Sequence, residues 1–257
     1  MEEPNALLSY SIGNIIAFII VIAVNTMANT IPLGGFTTGE LSDMYPNLFV
    51  PAGITFSIWG LIYLLLTAFI FYSFFSISRT AADSSFILAA GPWFIVSSAA
   101  NAGWIFAWHY RRPLLSLVCM LLILFSLIMV YLRMGSFKPP NFGTALVTKI
   151  PFSIYLGWIT VATAANVTAV LVHYGWNGFG LAGNIWTIIL IGAVLIITAV
   201  MIISRNDPAY TAVILWALAG IIIKQGAAGG QPSVTAAAAS ALGILAAVQI
   251  IRLIIRG

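Results

Sequence analysis

From residue 11 to residue 255 the chain is a succession of apolar runs, each cut off by a short polar break. A hydrocarbon core of about 30 Å is crossed by a helix of about 20 apolar residues. Eight stretches read as such crossings: 11–32, 52–76, 86–108, 113–133, 148–173, 183–203, 209–224 and 233–255. The seventh is the weakest, being short and interrupted by glycine. Breaks such as HYRRP, SRNDP and KQGAAGGQP carry charge or turn chemistry. Lipid offers no partner to a bare backbone N–H or C=O, so each run must satisfy itself as a helix. The fold class is therefore an all-α integral membrane protein with about eight transmembrane helices.

Charge usage closes off the soluble alternatives. Ten basic and six acidic residues among 257, with 61% hydrophobic residues and a mean hydropathy of +1.08, cannot cover a water-facing surface. The net charge of +4 comes from residues at the ends of apolar runs, so no nucleic-acid partner is expected. Cys119 stands alone inside such a run, which excludes an internal disulfide. The opening MEEPNALLSYS lacks the basic stretch of a secretory signal, so the first run is expected to be retained.

Eight crossings put both termini on one side. That side collects Arg79, Arg133, Lys138, Lys149, Arg205, Arg252 and Arg256, and the other Arg111, Arg112 and Lys224. Seven against three predicts cytoplasmic N- and C-termini.

Several runs carry polar and aromatic residues at helical spacing. Trp93, Ser97, Asn101, Trp104 and Trp108 share one face of the third. Pro151, Tyr155, Trp158 and Ala162 share a face of the fifth, with Asn166 one turn on. Phe56, Trp59 and Tyr63 do the same in the second, and Asn14, Asn25 and Asn29 in the first. Aromatic belts at the headgroup level account for Trp93, Trp108, Tyr110 and Trp176, and helix-pairing hydrogen bonds account for the first-run asparagines. Trp59, Trp104 and Trp158 sit well inside their runs, where an indole N–H needs an acceptor. Asn101 and Asn166 would supply carbonyls. Such faces turned inward would form an aromatic pocket with a few polar anchors, suited to a flat apolar ligand.

Three blocks resemble the TspO/MBR family, the tryptophan-rich sensory proteins that include the translocator protein. YPNLFVPAGITFSIWGLIY is similar to the family's Pro-rich first loop running into helix two. NAGWIFAWHYRRP resembles its helix-three Asn-x-x-Trp block, and PFSIYLGWITVATAAN its helix five. Where the family's loop reads Trp-x-Pro-Pro, this chain has Leu48, Val50 and Pro51, one Trp and one Pro fewer. Pro51 suits the first turn of a helix. The resemblance implies a five-helix core over 1–176 and an appended three-helix unit over 177–257. It also implies a pocket with Trp59 and Trp158 as its tryptophans and Phe56, Tyr63, Asn101, Trp104, Tyr155, Ala162 and Asn166 as its other walls.

No paired carboxylates, HExxH, cysteine cluster, phosphate loop or nucleophile elbow is present, so neither catalysis nor a metal site is expected. The family's association with porphyrin breakdown makes turnover a minor option. His109 and His173 end the third and fifth runs, either capping helix C-termini or ligating haem iron. Arg111 and Arg112 would pair with ligand carboxylates such as porphyrin propionates, or hold position at the headgroups. A sterol-type pattern, Leu127-x-x-x-Tyr131-x-Arg133, is discounted, because the family's sterol motif belongs to helix five.

The residues name no resident cofactor; the resemblance implies a bound porphyrin or haem, or a sterol-like lipid, for sensing or transport. The competing expectation is a non-catalytic accessory subunit of a larger membrane complex. The partners expected are the bilayer, a hydrophobic small molecule, and further copies of the chain or other membrane subunits.

Overall fold

Helix starts and stops in this chain have identifiable chemical causes. A computed structural model describes residues 2–31, 33–77, 84–227 and 229–256. Arg79 of the charge asymmetry lies outside the described residues, as does the side chain of Arg256. In chain order the helices are α1 (Glu2–Thr30), α2 (Thr38–Asp43), α3 (Ile58–Ile77), α4 (Ser85–His109), α5 (Pro113–Met134), α6 (Phe142–Thr148), α7 (Ile150–His173), α8 (Gly183–Arg205), α9 (Pro208–Gly226) and α10 (Pro232–Arg256). Among the described residues eight helical stretches are long and apolar enough to span a bilayer, and none forms a strand. They coincide with the eight apolar runs. With so little charge and so many apolar side chains left bare, the chain is a multi-pass integral membrane protein.

α9 begins because Asp207 Oδ1 accepts from the amides of Ala209 and Tyr210, both at 3.0 Å, and Pro208 fills the first turn, where no N–H is required. α8 ends just before, with Asn206 in the left-handed region at φ 49°. Asn141 Oδ1 accepts from the Thr144 amide at 2.9 Å and opens α6 in the same way.

Two departures from smooth helices were not expected. Pro51 lies outside the second span, whose first turn is a 3-10 helix, Gly53–Ser57, running into α3 at Ile58. α4 is broken at Gly91, whose φ of 40° and ψ of −136° are open to glycine and precede Pro92. The Pro92 ring has no N–H to give and crowds the preceding turn, so the kink falls at this pair.

The described chain divides into two compact units. The first holds residues 1–38 and 59–156, the second 39–58 and 157–257. This is a division by packing and does not bear on the family boundary expected at 176/177. In the first unit α4 packs against both α1 and α5. A phenylalanine cluster anchors it: Phe69 meets Phe86, Phe94 and Phe152 edge-on, the last with ring centres 4.9 Å apart, and all four are buried.

In the second unit α10 packs against α8 and α9. Small side chains at the contact, Ala238 and Ala241, are buried and let the backbones come close. Thr211 of α9 donates to Gln249 Oε1 of α10 at 2.9 Å, and Gln249 in turn donates to Asn206. Tyr210 donates to Thr160 Oγ1 on α7 at 3.1 Å. Beside it Gly157 admits α9 so closely that a Cβ there would lie 3.1 Å from the Tyr210 carbonyl oxygen. Outward faces such as Ile196, Val200 and Ile203 of α8 are bare and apolar, as lipid requires.

Candidate functional site

The expected pocket residues fall into both compact units. Trp59, Tyr63, Asn101, Trp104 and Tyr155 belong to the first; Phe56, Trp158, Ala162 and Asn166 belong to the second.

In the first unit the polar residues form a chain buried from both lipid and water. Asn25 Nδ2 donates to Asn101 Oδ1 at 2.8 Å, and Asn101 Nδ2 donates to the Tyr155 hydroxyl at 2.9 Å. Asn101 is wholly buried and Tyr155 nearly so. Helices α1, α4 and α7 are thereby tied through one amide. Around it Trp59 stacks on Tyr63 with ring centres 5.5 Å apart and meets Tyr155 edge-on at 5.8 Å. Trp104 is buried and stacks on Trp108 at 5.8 Å, while its indole N–H has no acceptor among the described residues. The Asn101 carbonyl, one of two expected to serve the buried indoles, accepts from Asn25.

The first-run asparagines split three ways. Asn25 pairs helices as described; among the described residues Asn29 donates to the Asn25 carbonyl of its own helix, at 2.9 Å, and to no other helix. Asn14 is fully buried, and neither side-chain atom has a partner among the described residues. Trp108, expected in an interfacial belt, is 5% exposed and donates to the Thr38 carbonyl at 3.3 Å. It is a buried strut, because the chain before α2 folds against the end of α4.

In the second unit Phe56 meets Trp158 edge-on with ring centres 5.7 Å apart. Trp158 and Asn166 are buried and Ala162 is half-buried. The first loop is held by α9: the Ala52 amide donates to the Gly220 carbonyl at 3.0 Å, and Trp216 Nε1 to the Thr55 carbonyl at 3.0 Å.

His109 is buried, with Nδ1 at 2.8 Å from the Ile105 carbonyl of its own helix, the capping arrangement. His173, at the end of α7, takes the edge of Tyr45 at 6.0 Å between ring centres. Arg111 and Arg112 occupy the exposed turn between α4 and α5; Arg111 has φ 54° and lays its guanidinium 5.0 Å from the Phe36 ring centre. Among the described residues no three His, Cys, Asp or Glu side chains cluster to hold a metal.

A hollow that the sequence pattern did not reveal opens wholly within the second unit. It measures about 670 Å³ and lies among the first loop, the end of α7, the α7–α8 turn and the ends of α8 and α9. Trp176, Trp186, Tyr45 and Leu171 supply its apolar wall; Lys224 and Asp43 are its charged residues. The turn is rigidly built: Trp186 Nε1 donates to the Gly178 carbonyl at 2.8 Å, and its ring lies 4.9 Å from that of Trp176. Gln225 closes one side, its Nε2 donating to the Leu48 carbonyl at 3.0 Å and its Oε1 accepting from the Gln231 amide at 3.2 Å. Of its lining, Trp176 was singled out from sequence as a belt residue, Lys224 in the charge asymmetry and Leu48 in the first loop, but nothing in the sequence joined them. The other walls come from stretches with no shared periodicity.

No curated protein and no solved structure matches the chain. The profile of the TSPO-like protein family matches residues 11–251, a stretch that includes the last three spans. With eight membrane helices, a Trp-Tyr-Asn set on the second, third and fifth of them, and a profile match over nearly its whole length, the chain belongs to the TSPO-like protein family.

Proposed function

We propose that this TSPO-like protein binds a hydrophobic planar small molecule, a tetrapyrrole by preference, for sensing or transport and without turning it over. One observation carries the reading: among the described residues the buried Trp104 indole N–H has no acceptor, one helical turn from Asn101 and its ring-lined hydrogen-bond chain. An unmet donor in a dry interior costs about 1–3 kcal/mol. A ligand oxygen or ring nitrogen in reach would recover that cost, while Trp59, Tyr63 and Tyr155 offer flat apolar surface to a flat molecule. Arg111 and Arg112 take ligand carboxylates where the ligand carries them. The absence of paired carboxylates and of a nucleophile with its base favours binding over chemistry.

Protoporphyrin titrated into the purified protein, followed by tryptophan-fluorescence quenching, tests this. Trp104→Phe keeps an aromatic ring and removes the donor, and is expected to weaken binding about three- to tenfold. A double variant Trp59→Ala, Tyr63→Ala, which removes the stacked pair of the first unit, should abolish saturable quenching. Titrations indistinguishable among wild type and both variants would remove the pocket. Stable co-purification with other membrane subunits and no ligand absorbance would instead favour the accessory-subunit role.

A further inference from the structure

The hollow of the second unit has features that the planar-ligand reading does not use. At about 670 Å³ it is within the range of small-molecule sites, about 300–1,000 Å³. None of its wall is drawn from the first unit. Its apolar lining comes from rings and aliphatic side chains, and its hydrogen-bonding groups are largely committed to the wall itself. Asn47 Oδ1 accepts from the amides of Phe49 and Val50, Gln225 is used at both ends, and the Trp186 N–H is spent on Gly178.

Lys224 is the exception. Its ammonium stands 3.5 Å from Asp43 Oδ1, and the two side chains are 33% and 75% exposed. That is longer than the roughly 2.7–2.9 Å of a charge-assisted hydrogen bond, and so exposed a pair contributes little to stability. Asp43 can return to water at little cost, which leaves a cation facing an apolar chamber. The chamber lies at helix ends, where a span meets the headgroup layer and Trp residues such as Trp176 and Trp186 are at home.

We propose that this cavity binds an amphiphile with an apolar body and one anionic head, the head pairing with Lys224 in exchange for Asp43. A tetrapyrrole with two carboxylates fits less well, because among the described residues Lys224 is the one cation in the lining. The same chemistry is offered by a single-chain fatty carboxylate and by an anionic phospholipid, and the test separates them.

The full chain in phosphatidylcholine nanodiscs is titrated with dibromostearate, whose bromines quench tryptophan on contact, and with dibromostearyl alcohol, which differs in the head. Parallel discs contain brominated phosphatidylglycerol. Saturable quenching by the acid is expected, weakened about tenfold by Lys224→Met and strengthened by Asp43→Asn. Loss of fold cannot produce that pair of opposite signs. The saturable signal should disappear in the double variant Trp176→Phe, Trp186→Phe. Stronger quenching by the free acid assigns the site to a soluble amphiphile, and stronger quenching by phosphatidylglycerol assigns it to bilayer lipid; either upholds the site. Equal binding of acid and alcohol, unchanged affinity in Lys224→Met, or saturable quenching that survives loss of both tryptophans overturns it. Protoporphyrin titration of Lys224→Met reads the planar-ligand site separately and should match wild type.

Discussion

Asn101 performs two tasks with one amide: its oxygen receives Asn25 of α1 and its nitrogen reaches Tyr155 of α7. Hydrogen bonds between membrane helices average about 0.6 kcal/mol each and reach about 1.7. Asn101→Ala breaks two and leaves a buried hydroxyl short of a donor, so a loss of about 1–2 kcal/mol is expected. Asn25→Ala should cost less, because Asn101 keeps Tyr155. Asn29→Ala should cost almost nothing, since its amide serves only its own helix. Thermal unfolding in mild detergent ranks the three, and equal losses would contradict the wiring. Sequence spacing placed Asn25 and Asn29 on one face but could not say which would find a partner, because that depends on which residue of α4 stands opposite. The same limit placed Trp108 in a belt. A face is a local property, and a partner is not.

At the scale of elements the spans were legible to within a few residues, because bilayer thickness dictates run length and Pro, Asn and Asp mark the ends. What escaped was irregularity with a distant cause. The glycine that weakened the seventh run is Gly220, and its reason lies in the first loop. A Cβ at that point would sit 2.0 Å from Thr55 Oγ1 and 2.8 Å from Pro51 Cβ. The loop can seat its Pro-Ala-Gly turn on α9 only because nothing projects there. Gly220→Ala is therefore expected to destabilise by about 1–3 kcal/mol through overpacking. Gly192→Ala in α8, where a Cβ meets nothing within 4 Å, should be neutral or gain up to about 1 kcal/mol from helix propensity. Equal shifts in melting temperature for the two would mean that the loop does not rest on α9 as described. The α7–α8 hollow escaped for a related reason, since its walls come from separate stretches whose meeting no periodicity announces.

For the whole molecule the open physical question is which way it faces. Positive side chains are retained where they need not cross the lipid, and on the seven-to-three asymmetry we propose that the termini and the α8–α9 turn face the cytoplasm. Arg205 ends α8 there, and Arg252 of α10 donates to the Ile203 carbonyl beside it, so two cations gather at one end of the second unit. The other end carries Lys224, which leaves the bias modest but of definite sign. A pair of cysteines flanking α8 reads it directly. In a Cys119→Ser background, Asn177→Cys lies in the α7–α8 turn and Ser204→Cys at the far end of α8, both exposed. In sealed right-side-out vesicles a membrane-impermeant maleimide should label Asn177→Cys at once and Ser204→Cys only after permeabilisation. The reverse order would invert the protein, and would move the Lys224 cavity from the outer leaflet to the inner one. Immediate labelling of both would mean that α8 does not cross, and with it the even count of spans would fall.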